Sequence, residues 1–265
     1  MRVGSLFSGI GGIDLGLERA GMSIVWQCEI DAFASAVLAH HWPDVPNHGD
    51  VTQLDLAVLQ PVDLICGGYP CQPFSYAGSR QGESDERHLW PYFAAAVRVL
   101  RPRYALLENV SGHLSLGFGR VLGDLAEVGY DVEWESVPAA LVGAPHLRVR
   151  VIAVAHVADT DDERRVGRAR FFRPGWWLEP AHRGDDVADA DSARLEGPRG
   201  LRDQGERARR AVAADVSWWA VEPDVGRVAH GVPGRVDRLR ALGNAVVPQV
   251  AQAVGRRIIE HADEC

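Results

Sequence analysis

Strand-like runs that alternate with glycine turns and helical repeats occupy the first 155 residues, and that order admits few folds. Arg2 to Phe7 reads as a short strand and Ser8-Gly9-Ile10-Gly11-Gly12 as a glycine turn. Ile13, Leu17 and Ala20 then recur at helical spacing until Gly21. A second strand, Ile24 to Cys28, ends at Glu29, and Asp31 can cap a helix that carries Phe33, Val37 and Leu38 on one face. A short extended stretch precedes Asp50, where Thr52 can cap a further helix. Val62 to Cys66 forms a fourth strand, Leu89 to Leu100 a helix, and Tyr104 to Glu108 a fifth strand. The next helix places Val121, Leu122, Leu125 and Val128 on one side. Such alternation predicts an α/β fold, a mainly parallel sheet with helices on both faces.

In open sheets of this kind, ligands bind beyond the carboxyl ends of the strands. Polar residues gather there: the glycine turn after strand one, Glu29 after strand two, Asp50 after strand three and Glu108-Asn109 at strand five. Strand four runs into Gly67-Gly68-Tyr69-Pro70-Cys71-Gln72-Pro73-Phe74-Ser75, which hangs one cysteine on a proline-braced loop. Cys66 sits inside an apolar run, as structural cysteines do, whereas Cys71 has the setting a reactive thiol needs. The four cysteines show no Cys-x-x-Cys spacing, so neither a metal site nor a disulfide framework is expected. A reducing cytoplasm and no metal follow from that usage.

Gly9, Gly11 and Gly12 would let the backbone approach a ligand, but Asp14 stands where a dinucleotide fingerprint wants glycine. A pyrophosphate cradle is therefore a poor match, which weakens a dehydrogenase reading. Glu29 can accept from two ribose hydroxyls, Asp50 from an adenine amino group, and Phe7 and Ile30 offer apolar faces to a base. These groups describe a nucleoside site with no need for phosphate, and S-adenosylmethionine is such a ligand.

Five blocks resemble, in order, the signatures of the DNA cytosine-5 methyltransferases. They are Phe7 to Gly12, Pro70-Cys71-Gln72, Glu108-Asn109-Val110, His146-Leu147-Arg148-Val149-Arg150 and Gly243-Asn244-Ala245-Val246-Val247-Pro248. His146 stands where that family usually has glutamine. The resemblance implies a Rossmann-like class I methyltransferase fold with a small irregular target-recognition insert, and S-adenosyl-L-methionine as cofactor. It implies cofactor contacts from Phe7, Ser8, Gly9, Gly11, Gly12, Glu29, Ile30, Asp50, Val51, Pro70, Asn244 and Ala245. Cys71 would be the nucleophile and Glu108 its partner acid, with Asn109 beside it. Arg148 would orient Glu108, while Arg150 would read the cytosine or hold a phosphate.

Such an enzyme acts on a base flipped out of double-stranded DNA. The expected setting is phage DNA protection or restriction-modification, with a cognate restriction endonuclease as partner and a monomer as the working unit. Two alternatives stay open at this point: a tRNA cytosine-5 methyltransferase, and a catalytically silent nucleic-acid-binding homologue. The formal charge of −8 argues against non-specific coating of nucleic acid, yet all 28 basic residues are arginine, the residue suited to bidentate contacts. There is no apolar run of about 18 residues and no basic-then-apolar start, so no membrane is expected.

Three regions are expected. Residues 1–155 form the first part of the catalytic and cofactor-binding domain, 156–234 a small polar target-recognition region, and 235–265 the return of the catalytic domain. Residues 156 to 215 hold twelve arginines and thirteen acids, so a compact core is not expected there. Arg168, Arg170, Arg173, Arg207, Arg209 and Arg210 could neutralise phosphates. Trp218-Trp219 and the run from Arg235 would restart the fold, and Val250, Val254 and Ile258 mark a closing helix that packs beside the first unit.

Overall fold

The computed structural model describes residues 1–70, 89–144, 146–158, 171–172 and 234–264. Cys71, Trp218-Trp219 and the six arginines assigned to phosphates lie outside the described residues. Six strands form one sheet: β1 (Arg2–Leu6), β2 (Ser23–Cys28), β3 (Leu64–Gly67), β4 (Tyr104–Val110), β5 (Tyr130–Pro138) and β6 (Val149–Val157), in the order β2-β1-β3-β4-β6-β5. The pairs β1–β2, β1–β3 and β3–β4 are parallel, whereas β6 runs antiparallel to both β4 and β5. The sheet is therefore mainly parallel as expected, with β6 the one reversed strand in it. The edge strand β5, not among the expected elements, alternates Asp131, Glu133 and Glu135 with Tyr130, Val132 and Trp134; acids of this kind are how an edge strand avoids pairing with another chain.

Among the described residues the α-helices are α1 (Gly12–Arg19), α2 (Ala32–His41), α3 (Trp90–Leu100), α4 (Phe118–Glu127), α5 (Arg235–Asn244) and α6 (Pro248–Asp263). Side chains alternate across the sheet, so Leu64 and Cys66 face one core and Ile65 the other. One core joins the sheet to α3 and α4 through Ile65, Phe93, Val97, Leu107, Val121 and Leu125. The second joins it to α1 and α6 through Val3, Leu17, Leu106, Val154, Val254 and Ile258. The closing helix thus packs on the first one, as expected. That contact is tight because the helices meet at glycines: a Cβ on Gly16 would lie 2.4 Å from the Pro248 carbonyl, and one on Gly255 2.9 Å from the Ala20 Cβ.

Four local expectations change. No strand precedes Asp50, only an isolated bridge between Gln27 and Asn47. The cap of the following turn, Val51–Gln53, is Asp50 itself, whose Oδ1 accepts from the Thr52 N–H at 2.8 Å. On α2, Ala34 and Leu38 are the buried pair, with Phe33 and Val37 half-buried beside them. Phe171, within the stretch not expected to form a core, is buried: its ring stacks on His261 of α6 with centroids 4.3 Å apart, and its carbonyl accepts from the Arg257 Nε at 3.4 Å.

Candidate active site

Strand register brings the candidate residues into one row. Leu6 pairs with Cys28 on one side and Gly67 on the other, and Gly67 pairs with Leu107. One residue further on, Glu29, Phe7, Gly68 and Glu108 stand side by side at the carboxyl edge. Four neighbouring strands span about 14 Å, the reach of a nucleoside and its reaction partner. Cys71 follows Gly67, in the middle of the row, by four residues of sequence.

At one end of the row, Phe7 and Gly9 both take left-handed backbone, with φ of 54° and 55°. That conformation costs a residue with a side chain about 1 kcal/mol, so the turn must be held from outside. Ser8 does part of this, its Oγ donating to the Ser5 carbonyl at 3.1 Å and accepting from the Cys28 N–H at 3.4 Å. Glu29 does the rest: its Oε2 accepts from the Gly9 N–H at 2.8 Å and its Oε1 from the Asp31 N–H at 2.7 Å. The carboxylate is thereby fixed, and each oxygen keeps a lone pair for a further donor.

The three glycines of the turn have different jobs. A Cβ on Gly9 would meet nothing within 4 Å, so this residue faces open space. One on Gly11 would come 2.4 Å from the Trp42 ring, and one on Gly12 2.5 Å from the Val246 carbonyl. Packing alone thus requires glycine at 11 and 12, and Gly9 keeps room for a ligand. The same packing brings the Asn244-Ala245 segment to the glycine turn. An ion pair of 2.6 Å between Arg240 of α5 and Asp31 holds that side together.

Asp14 explains why a pyrophosphate fingerprint fails here. Its carboxylate turns into the fold, accepting from the Ser5 hydroxyl at 3.0 Å and the Gln27 amide at 2.9 Å. Burial pushes its pKa up to about 6 against those two hydrogen bonds. Cys28 and Cys66 are poor nucleophiles: burial pushes the Cys28 thiol up to about 12 and raises Cys66 well above the usual thiol range.

At the other end of the row, Glu108 is buried at 7% exposure and its pKa is raised to about 7. Desolvation is the largest cause, opposed first by the charge of Arg150 and then by that of Arg148. Room for the acid comes from Gly68, where a Cβ would sit 2.7 Å from the Glu108 Oε2. Arg150 lies opposite Val110 in the antiparallel ladder, diagonal to Glu108, and its Nε comes within 2.9 Å of Oε1. This is an ion contact rather than a directed hydrogen bond, since Oε1 has no well-aligned donor. Asn109 donates through Nδ2 to the Tyr69 carbonyl at 3.3 Å, which registers the acid's strand against the stem of the cysteine loop.

The close contact to Glu108 expected of Arg148 falls to Arg150. Arg150 is the one against Glu108, while Arg148 donates to the carbonyls of Gly243 and Ala245 at 2.7 and 2.6 Å. Arg148 stands just before β6, and its left-handed backbone, φ 28°, takes it off the face on which strand alternation would set it beside Arg150. Asn244 is exposed at that helix end, Val51 is buried, and Ile30 is 71% exposed beside Glu29. Among the described residues no His, Cys, Asp and Glu cluster could hold a metal, and no helix is long and apolar enough to cross a membrane.

Residues 1–183 match the sequence profile of the C-5 cytosine-specific DNA methylases. The chain belongs to that family. It is 37% identical over 164 residues to the type II methyltransferase M2.BsuMI of Bacillus subtilis, covering 58% of this chain and 42% of the relative. With the type II methyltransferase M.Eco47II of Escherichia coli the identity is 35% over 200 residues, 72% and 48% of the two chains. The chain therefore spans about half the length, or less, of the curated relatives it matches. Among solved structures, Dnmt2 of S. pombe aligns over 100% of this chain and 99% of its own, with 18% identity and a TM-score of 0.59. A prophage-encoded E. coli protein described as a DNA modification methyltransferase aligns over 99% of each, with 20% identity and a TM-score of 0.60. The fold shared with these structures is the Rossmann-like methyltransferase fold.

Proposed function

We propose that this chain transfers a methyl group from S-adenosyl-L-methionine to C5 of a cytosine flipped out of double-stranded DNA, with Cys71 as the transient nucleophile. The observation that carries the reading is Glu108: a buried carboxyl with its pKa near neutrality, at the strand end beside the stem of the cysteine loop. A carboxyl so placed can hold its proton at working pH and donate it.

The donor fits the other end of the row. Gly9 faces open space, the fixed Glu29 carboxylate has spare lone pairs for ribose hydroxyls, and exposed Ile30 offers an apolar face to the adenine. Phe7, Ser8, Gly11, Gly12, Asp50, Val51, Pro70, Asn244 and Ala245 frame the same crevice in this proposal. The bound donor supplies an electrophilic methyl group. Cytosine C5 is too weak a nucleophile to accept it unaided, so the protein adds electron density to the ring. The Cys71 thiolate attacks C6 while Glu108 protonates N3, and the charge that develops at C5 becomes available. After methylation, loss of the C5 proton and expulsion of the cysteine restore the aromatic ring. Arg150 steadies Glu108, and Arg148 ties the cofactor-side segment of α5 to the strand that carries Arg150.

Residues 156–234 serve as the target-recognition region in this account, between two parts of a discontinuous catalytic domain. The relatives named as type II methyltransferases support a place in restriction-modification, with a cognate endonuclease as partner. The cytoplasm is the proposed compartment and a monomer the proposed unit. The test is transfer of tritiated methyl from S-adenosylmethionine to cytosine-containing duplex DNA by the wild type and by Cys71→Ala. Incorporation by the wild type alone supports the proposal; equal incorporation by both ends it.

A further inference from the structure

The hydroxyl of Tyr69 and the imidazole of His113 meet at 2.6 Å in a buried pocket at the stem of the cysteine loop. Tyr69 lies two residues before Cys71, and His113 lies in the turn Ser111–Ser115 that follows Glu108 and Asn109. The proton positions follow from the acceptors. The Leu116 carbonyl, 2.9 Å from Nδ1, can only accept, so Nδ1 carries the hydrogen. A neutral imidazole then presents Nε2 as acceptor to the Tyr69 hydroxyl.

The ring of Tyr69 is also held from the far side of the loop. Its centroid lies 5.2 Å from that of Trp90, the first residue of α3, and 6.2 Å from that of Phe93. Trp90 is itself fixed, its indole N–H donating to Asp124 at 2.6 Å. Residues flanking the span 71–88 therefore touch one another. Bringing the two flanks of the span 71–88 together costs chain entropy, and aromatic contact between Tyr69 and Trp90 offsets part of it. Packing alone would be served as well by phenylalanine. A buried hydroxyl is costly unless partnered, and its bond to an imidazole anchored at the other nitrogen fixes the ring in position and rotation.

We propose that the Tyr69 hydroxyl and His113 form a positioning pair that sets where the cysteine loop leaves the sheet relative to Glu108. The inference rests on the reading of Cys71 as nucleophile. It assigns His113 no contact with substrate. Nucleophile and acid must meet the same ring from fixed positions, and the pair links the residues that precede one to those that follow the other.

The experiment compares Tyr69→Phe, His113→Ala and His113→Gln in the full chain by steady-state methyl transfer to duplex DNA, cofactor calorimetry and thermal unfolding. Tyr69→Phe and His113→Ala should each lower kcat at least about tenfold, since a misplacement of about 1 Å has costs of that order. The DNA KM and the cofactor Kd should stay within about twofold, the pattern of a loss felt in the transition state alone. His113→Gln, whose amide oxygen can accept from the hydroxyl, should recover most of kcat. A folded Tyr69→Phe with wild-type kcat overturns the pairing; should that variant not fold, equal kcat in the two His113 variants does so. Iodoacetamide labelling of Cys71, read by mass spectrometry, keeps the two readings apart. A wild type without methyl transfer ends the functional reading, whereas a labelling rate that Tyr69→Phe leaves unchanged ends the positioning one.

Discussion

Glu108→Gln separates the chemistry of the buried acid from its shape. Desolvation lifts this carboxyl from 4.5 to about 7 in spite of Arg150 and Arg148. The folded protein therefore keeps a proton that the unfolded chain releases between those limits. For this group, stability is fully present below 4.5 and is lost as pH rises through about 7, by about 3 kcal/mol in all. Glutamine has nearly the same volume and does not titrate. Urea unfolding near pH 5 and near pH 8 should thus show the wild type losing about 2 to 3 kcal/mol more than the variant across that range. Asp14, raised to about 6, adds the same slope to both proteins and cancels in the comparison. In activity, wild-type kcat/KM should decline above about pH 7 as the acid ionises, whereas the variant should lose about 10² to 10⁴ in rate and lack that limb. A stability gap between the two proteins that does not vary with pH, or a variant of near wild-type kcat/KM, would refute the assignment of Glu108 as a protonated acid.

Other substitutions address the frame around it. Gly12→Ala drives a methyl group to within 2.5 Å of the Val246 carbonyl; a destabilisation of about 1 to 3 kcal/mol is expected by thermal or urea unfolding. Arg148→Ala removes two donors from the Gly243 and Ala245 carbonyls. It should cost about 1 to 3 kcal/mol of stability and weaken cofactor binding in calorimetry, because α5 loses its tie to β6. Ile30→Ala touches a side chain that is 71% exposed, so the melting temperature should stay put while the cofactor Kd rises several-fold.

How much of this was legible in the sequence depends on what each residue answers to. The parallel strands and the helices α1, α3, α4 and α6 follow from local apolar period, and Val250, Val254 and Ile258 are buried as their spacing requires. β5 was missed although Tyr130, Val132 and Trp134 alternate with Asp131, Glu133 and Glu135, the period of a half-buried strand; its place at the sheet edge answers to tertiary pairing. The divided work of Gly9, Gly11 and Gly12 was equally hidden, because Val246 reaches Gly12 across more than two hundred residues. That Arg150 rather than Arg148 meets Glu108 depends on one left-handed backbone angle. Tyr69 and His113 were missed altogether. Their signal was faint: a tyrosine just before Pro70-Cys71 and a histidine just after Glu108-Asn109, two residues whose partnership no spacing announces.

The central claim is that the thiol at residue 71 bonds to carbon 6 of a cytosine. Duplex DNA carrying 5-fluorocytosine at the target cytosine, incubated with the protein and S-adenosylmethionine, tests it directly, because fluorine at C5 cannot leave as a proton and the adduct persists. Mass spectrometry should find the DNA joined to the peptide that contains Cys71, with no such species from Cys71→Ala. An adduct formed equally well by that variant, or methyl transfer to normal DNA by a wild type that yields no adduct, would contradict the account.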